Sequence, residues 1–419
     1  MRMRYITKCL LIVAVIFATA AVCDQALDAK AQNGERNQIE VVLDGEAFTY
    51  YDYEITPTNH LVEEQLFLRR INDSPKQKSC FVRSLVDKGV SPEKALIYAY
   101  PRLEAFVSNL SASIKKEAKN ATITFNPDKK PVFTLTRDKN GRRLDEQALY
   151  ASIFRAWQSC VSAKIEATTL PVRAEFTIDD AKAQTYLRGK FSTDFSASSS
   201  NRKYNVALAM SKINGYILPS GESFSFNGVV GGRTEKNGFK QAKIIIDGEY
   251  VDGVGGGVCQ VSTTLYNAVL LANLPVEKVS SHSLAPSYVS PSFDAMVNQG
   301  SSDLTFGNDT KFPVYIKATC ENGEATVEIY GSRNPYEIKQ KSVITEYGSV
   351  PEDKIVEDVE GKFVTDEMQS GESVRVRGSI AGFRSEGYLL YYKDGVLESK
   401  KLIRRDKYLP IRGIIAKKP

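Results

Sequence analysis

GVGGGVCQVSTTLYNAVL, residues 253 to 270, is the stretch on which the reading of this chain turns. Three consecutive glycines, Gly255 to Gly257, stop just short of Cys259, and Val261, Leu265, Val269 and Ala272 then recur at roughly helical spacing. A thiol is thereby placed where a flexible turn becomes a helix. Unpaired amides and the positive end of the helix dipole favour an anion there, which lowers a thiol's pKa. Glycine also lets backbone amides approach a substrate carbonyl closely, as an oxyanion site requires. The same residue type is equally at home packed in a core without chemistry.

Histidine narrows the choice. The chain has two, and His282, in VSSHSLAPSY, follows Cys259 by a short interval. A helix from Gln260 to about Asn273 and a turn at Asn273 to Pro275 would return a following strand, with His282, past the helix start.

Working outward, 419 residues allow two or three ordinary cores. Hydrophobic and charged fractions are ordinary for a globular chain. The net charge of +5 is mild, and no basic, aromatic-interleaved motif points to nucleic acid. Residues 1–22 read as a signal peptide or N-terminal membrane anchor, with a basic start before an apolar run too short for a comfortable span. The function is therefore expected outside the cytoplasm, in the cell wall or on the outer face of the membrane. Val22 before Cys23 argues against a lipidated cysteine. Of the six cysteines, Cys80 and Cys160 fall in one region and could pair, and pairing of Cys259 with Cys320 stays open.

The expected fold class is α+β, in several domains. After a polar linker at 23–38, residues 39–187 read as an α+β domain: a hairpin around Asp44-Gly45, helices to about Asn120, strands, and an amphipathic helix carrying Trp157. Residues 188–335 form a central α+β domain with the cysteine at a helix N-terminus. Residues 336–419 alternate strongly, with a hairpin turn at Lys393-Asp394-Gly395, and read as a small all-β module.

Several unusual pieces then occur in one order: LPSGESFSFN (Leu218 to Asn227), Gly232-Arg233-Thr234, GGGVCQVSTTLYNA (Gly255 to Ala268), His282-Ser283, and Asp303 with Phe306-Gly307-Asn308. In these pieces the stretch from about Asn201 to Gly331 closely resembles the VanW family, named for a protein of vancomycin-resistance gene clusters. The resemblance implies a thiol-dependent L,D-transpeptidase of peptidoglycan with Cys259 and His282 as the reacting pair. Residues 39–187 resemble the peptidoglycan-binding domain found ahead of cell-wall transpeptidase domains, through FTLTRDKNGRRLDEQAL and the strand around Pro171 to Ile178. Residues 336–419 resemble the wall modules called G-five domains, through Gly371, Gly378, Gly387, Gly395 and Tyr408 to Pro410. The basic end there, including Lys400, Lys401, Arg404, Arg405 and Lys407, is either a solvated face or a contact for anionic wall polymers.

Joining one peptide to another without ATP requires covalent storage of an acyl group. Cys259 would be the nucleophile and His282 the base and acid. Asp294 and Asp303 are candidates to orient the imidazole, with Asp303 favoured by the family motif and Asn298 and Ser283 as the open alternatives. The amides of Gly257 and Cys259, helped by the Gln260 side chain, would form the oxyanion site. Arg233 is a candidate for gripping a substrate carboxylate, or forms an ordinary ion pair. No cofactor is expected, and no metal, since His60 is distant and no paired-ligand spacing occurs. A cysteine endopeptidase, passing the acyl group to water, fits the same residues. A non-catalytic wall-binding protein with Cys259 merely packed is the alternative of a different class. Oligomeric state is not legible.

Overall fold

The computed structural model describes residues 38–51, 82–158, 163–246, 249–365 and 367–419. The expected signal segment, His60, Cys80 and Cys160 lie outside them. The chain divides into two compact units, Met1–Ala121 with Arg137–Phe176, and Thr122–Thr136 with Thr177–Pro419.

In the first unit, strands Gln38–Leu43 and Glu46–Tyr51 pair antiparallel. Asp44 and Gly45 both take positive φ (52° and 86°) between them, the backbone that a two-residue hairpin turn demands. Strand Ala163–Glu166 adds in parallel beside Gln38–Leu43. Helices Pro92–Ala99, Pro101–Ile114 and Glu146–Gln158 share a core with this sheet through Ile39, Val41, Leu96, Leu103, Leu149 and Ile153.

The second unit is built on a four-stranded antiparallel sheet in the order Tyr186–Asp194, Glu324–Gly331, Val314–Glu321 and Ile217–Leu218. Asn322-Gly323 closes its central hairpin, again at positive φ (52° and 80°). Helices Ser200–Ile213 and Val258–Leu271 pack against this sheet. The second of these, the cysteine helix, is buried from Val258 to Leu270 everywhere except at Cys259 itself, and the polar side chains it buries are hydrogen-bonded. The hairpin Thr122–Phe125 with Phe133–Thr136 belongs to this unit. Its Phe133 ring meets Tyr315 and Tyr330 edge-on, with centroids 5.2 and 5.3 Å away.

Residues 336–419 form a three-stranded antiparallel sheet of Glu337–Tyr347, Phe383–Lys393 and Val396–Tyr408, beside a smaller sheet of Lys354–Glu357, Ile414–Lys417 and Ser373–Arg377. The expected all-β character is there. The expected boundary at 335/336 does not coincide with a division of the structure, because Ile338 and Leu389 are buried in the same core as Val261 and Leu265 of the cysteine helix. Thr177, the first residue of the longer stretch of the second unit, caps the short helix Ile178–Lys182 with a reciprocal box to Asp180.

Candidate active site

The glycine triplet makes the turn that aims the cysteine. Gly257 is the N-cap of the cysteine helix with φ +107°. A Cβ there would lie 2.9 Å from Val206 Cγ2 and 3.0 Å from Arg202 Cγ, so both its backbone and its surroundings require glycine. The first-turn amides of Val258 and Gln260 donate to Gly255 O and Gly257 O. Cys259 sits between them, half-buried and free of any disulfide, as is Cys320.

A polar stripe on the cysteine helix straps down the segment that carries the acid. Cys259 Sγ lies 3.3 Å from Val297 O. Ser262 Oγ donates to Ala295 O at 2.6 Å, Thr263 Oγ1 accepts from Ala295 N at 3.0 Å, and Asn267 Nδ2 donates to Phe293 O at 2.8 Å. The helix thus offers positions four apart to partners two apart. Four helical residues rise about 6 Å and two extended residues about 6.6 Å, so the two repeats stay in step.

That strap puts Asp294 beneath His282. The segments meet at the Ser280 and Met296 bridge. Asp294 Oδ2 accepts from His282 N at 2.6 Å and pairs with His282 Nδ1 at 2.7 Å. With Nδ1 committed to a carboxylate, the ring's other nitrogen is left for sulfur, and imidazole and thiol act on each other's ionisation. Asp294 is fully buried, and its remaining oxygen is also taken. Oδ1 accepts from Tyr408 Oη at 2.6 Å and from Arg404 Nη2 at 2.8 Å.

The electrostatics follow from this order. Burial pushes the Cys259 thiol up, but the bond and charge of His282, with Arg233 beyond it, bring it below its ordinary value. Burial pushes His282 down, and Asp294 and Cys259 more than reverse this, leaving it at about 9. Burial pushes Asp294 up, while His282, Arg404 and Tyr408 hold it below the usual carboxylate range. Both shifts run toward the thiolate–imidazolium form of the pair, the form in which the nucleophile has already lost its proton.

The other expected residues sit differently. Asp303 does not reach His282. It accepts from Ser225 Oγ at 2.6 Å, Asn227 N at 2.9 Å and Leu304 N at 2.8 Å, tying the start of the short helix Phe226–Val230. Gln260 is buried and turned away from any oxyanion position, its amide donating to Thr193 Oγ1 and Asp194 O. Arg233 lies beside the thiol, but Val297 O and Asn227 Oδ1 take two of its nitrogens at 3.2 and 2.6 Å, so its charge serves the thiolate rather than an open carboxylate subsite. Sequence reasoning missed Arg404 and Tyr408, which come from the far end of the chain. Among the described residues no group of three or more His, Cys, Asp or Glu could hold a metal ion. Nor among them is any helix long and apolar enough to cross a membrane.

Comparison with known proteins places these residues in context. A profile of the family described as "VanW like protein" matches residues 201–330, which include Cys259, His282 and Asp294. The chain is 32% identical over 234 residues to "Uncharacterized protein YoaR" of Bacillus subtilis (strain 168), across 56% of this chain and 75% of that protein. It is 26% identical over 179 residues to "Vancomycin B-type resistance protein VanW" of Enterococcus faecalis (strain ATCC 700802 / V583), across 40% of this chain and 65% of that protein. The solved "Crystal structure of HP0197-G5" aligns with 20% of this chain and 99% of its own at 19% identity and a TM-score of 0.11.

Proposed function

The chain belongs to the VanW-like family, and we propose that it is an exported cell-wall enzyme, an L,D-transpeptidase that cross-links peptidoglycan stems through an acyl group on Cys259. The observation that carries this reading is the Cys259, His282, Asp294 series, a nucleophile electrostatically coupled to an acid-base group that is itself hydrogen-bonded to an orienting carboxylate. The resistance function in the name of the VanW relative supports a wall setting, and the apolar N-terminal run of the sequence supports export.

In the first half-reaction the thiolate attacks a stem-peptide carbonyl, with the amides of Cys259 and Gly257 as donors to the oxyanion. The C–N bond breaks, the leaving amine takes the proton of the His282 imidazolium, and a thioester remains on Cys259. In the second, His282 accepts a proton from an acceptor amine as it attacks the thioester. The new amide forms, the C–S bond breaks, and thiolate and imidazolium are restored. Asp294 holds the ring and its positive charge throughout. Residues 39–187 and 336–419 would add affinity for the wall.

The test is to incubate the full chain with tetrapeptide-stem muropeptides and analyse protein and products by mass spectrometry. An acyl adduct on Cys259 together with cross-linked dimers is the expected result. Shortened stems without dimers would indicate an endopeptidase, and the absence of adduct and product together would leave a wall-binding protein.

A further inference from the structure

We infer that the C-terminal sheet is part of the catalytic centre: Arg404 and Tyr408, on strand Val396–Tyr408, are positioning residues that hold Asp294 against His282. This rests on the reading above that Cys259 and His282 react.

The geometry is specific. Asp294 is 0% exposed as a side chain and Arg404 12%, so the carboxylate depends on protein donors for all its hydrogen bonds. Oδ2 is saturated by His282 and Oδ1 by Arg404 and Tyr408. Arg404 also grips the backbone, with Nη1 2.7 Å from Asp294 O, so it fixes the residue as well as its charge. Arg404 in turn is aligned by Asp406, 2.7 Å from its Nε, and lies over the Tyr266 ring at 5.7 Å. Tyr408 Oη further accepts from Ser292 N at 2.8 Å, and Leu409 N donates to Ser283 O at 2.7 Å. Both ends of the loop between His282 and Asp294 are therefore moored to the same strand end. Gly387 completes the approach, since a Cβ there would fall 3.0 Å from both Ser292 Cβ and Ser292 O.

The charged groups around the relay are Cys259, Arg233, His282, Asp294, Arg404 and Asp406, with the tyrosines Tyr266, Tyr288 and Tyr408 facing them. Removing a positive charge, or a donor to Asp294, from this buried cluster makes proton uptake easier. The thiolate then protonates at a higher pH.

The experiment is iodoacetamide alkylation of Cys259 in the full chain as a function of pH, read by peptide mass spectrometry, which needs no substrate. Arg404→Ala is expected to raise the midpoint by about one unit or more, Tyr408→Phe to raise it less, and Arg404→Lys to restore most of the wild-type profile. Lys401→Ala, an exposed change on the same strand, should leave it unmoved. Unshifted profiles in Arg404→Ala and Tyr408→Phe, both shown to be folded by circular dichroism, would overturn the inference. A shifted profile without any muropeptide product would uphold it while removing the transpeptidase reading. Cross-linking that persists with unshifted profiles would do the reverse.

Discussion

Asp294 Oδ2 receives both the backbone N–H and the ring Nδ1 of His282, at 2.6 and 2.7 Å. One carboxylate oxygen thus fixes where the histidine's main chain lies and which way its imidazole faces. Such a double hold leaves the ring little freedom to turn away from sulfur, and it separates the roles of the two aspartates in testable ways.

Asp294→Asn should cut turnover by about 10⁴-fold, the scale of loss when a triad carboxylate becomes an amide. Asp303→Asn should leave the Cys259 alkylation profile in place and cost about 1 kcal/mol of stability, as expected for a group tying a helix start. Steady-state rates with muropeptides and urea unfolding of both variants check this pair.

The pH dependence has a definite sign. His282 rises from its ordinary 6.5 to about 9 in the fold, so its contribution to stability is complete below pH 6.5 and is lost as pH climbs through about 9. The stability gap between the wild type and His282→Gln should accordingly narrow over that window in urea titrations. Turnover should fall across the upper part of the same window, because the leaving amine needs the imidazolium proton.

Thiol selectivity follows from environment. Burial pushes the Cys320 thiol up to about 11, whereas Cys259 lies below its ordinary value. At pH 7 limiting iodoacetamide should label Cys259 well ahead of Cys320, and Cys320→Ala should leave activity unchanged. Peptide mapping by mass spectrometry reads the outcome.

The helix strap can be cut at a single atom. Thr263→Val keeps the shape but leaves the buried Ala295 N–H without its acceptor, at a cost of about 1–3 kcal/mol. Loosening the strap should also slacken the seat of Asp294, so the variant should lose rate as well as stability. Thermal unfolding measured beside muropeptide turnover distinguishes this from a purely structural loss.

Much of the site was legible because it is local. The glycine turn, the cysteine at the helix start and a histidine soon afterwards all lie within about thirty residues of sequence, and helix periodicity alone orients them. Gln260 was misread for a reason the same periodicity contains. The residue after Cys259 is turned about 100° around the helix, and that direction faces the sheet rather than the thiol. The choice between Asp294 and Asp303 depends on which segment lies along the cysteine helix. Its signal, Cys259, Thr263 and Asn267 four apart, is visible only in hindsight as a polar stripe on an otherwise apolar helix.

Arg404 and Tyr408 were beyond reach for another reason. They stand more than a hundred residues from Asp294 in the chain, and Tyr408 reads naturally as the close of a glycine-patterned module. Fold class was legible from alternation and turn residues, but the extent of the core was not. The apolar face of the C-terminal sheet looks the same in sequence whether it packs on its own module or, as Ile338 and Leu389 do, on the cysteine helix.

The hairpin of Thr122–Phe125 and Phe133–Thr136 imposes an order on biosynthesis. It is made early, between two stretches of the first unit, yet the tyrosines that cover Phe133 are Tyr315 and Tyr330. Until the ribosome has passed those codons the hairpin's aromatic rings have no home. The nascent polypeptide must therefore carry an uncovered aromatic patch from the completion of the hairpin until Tyr330 has been made.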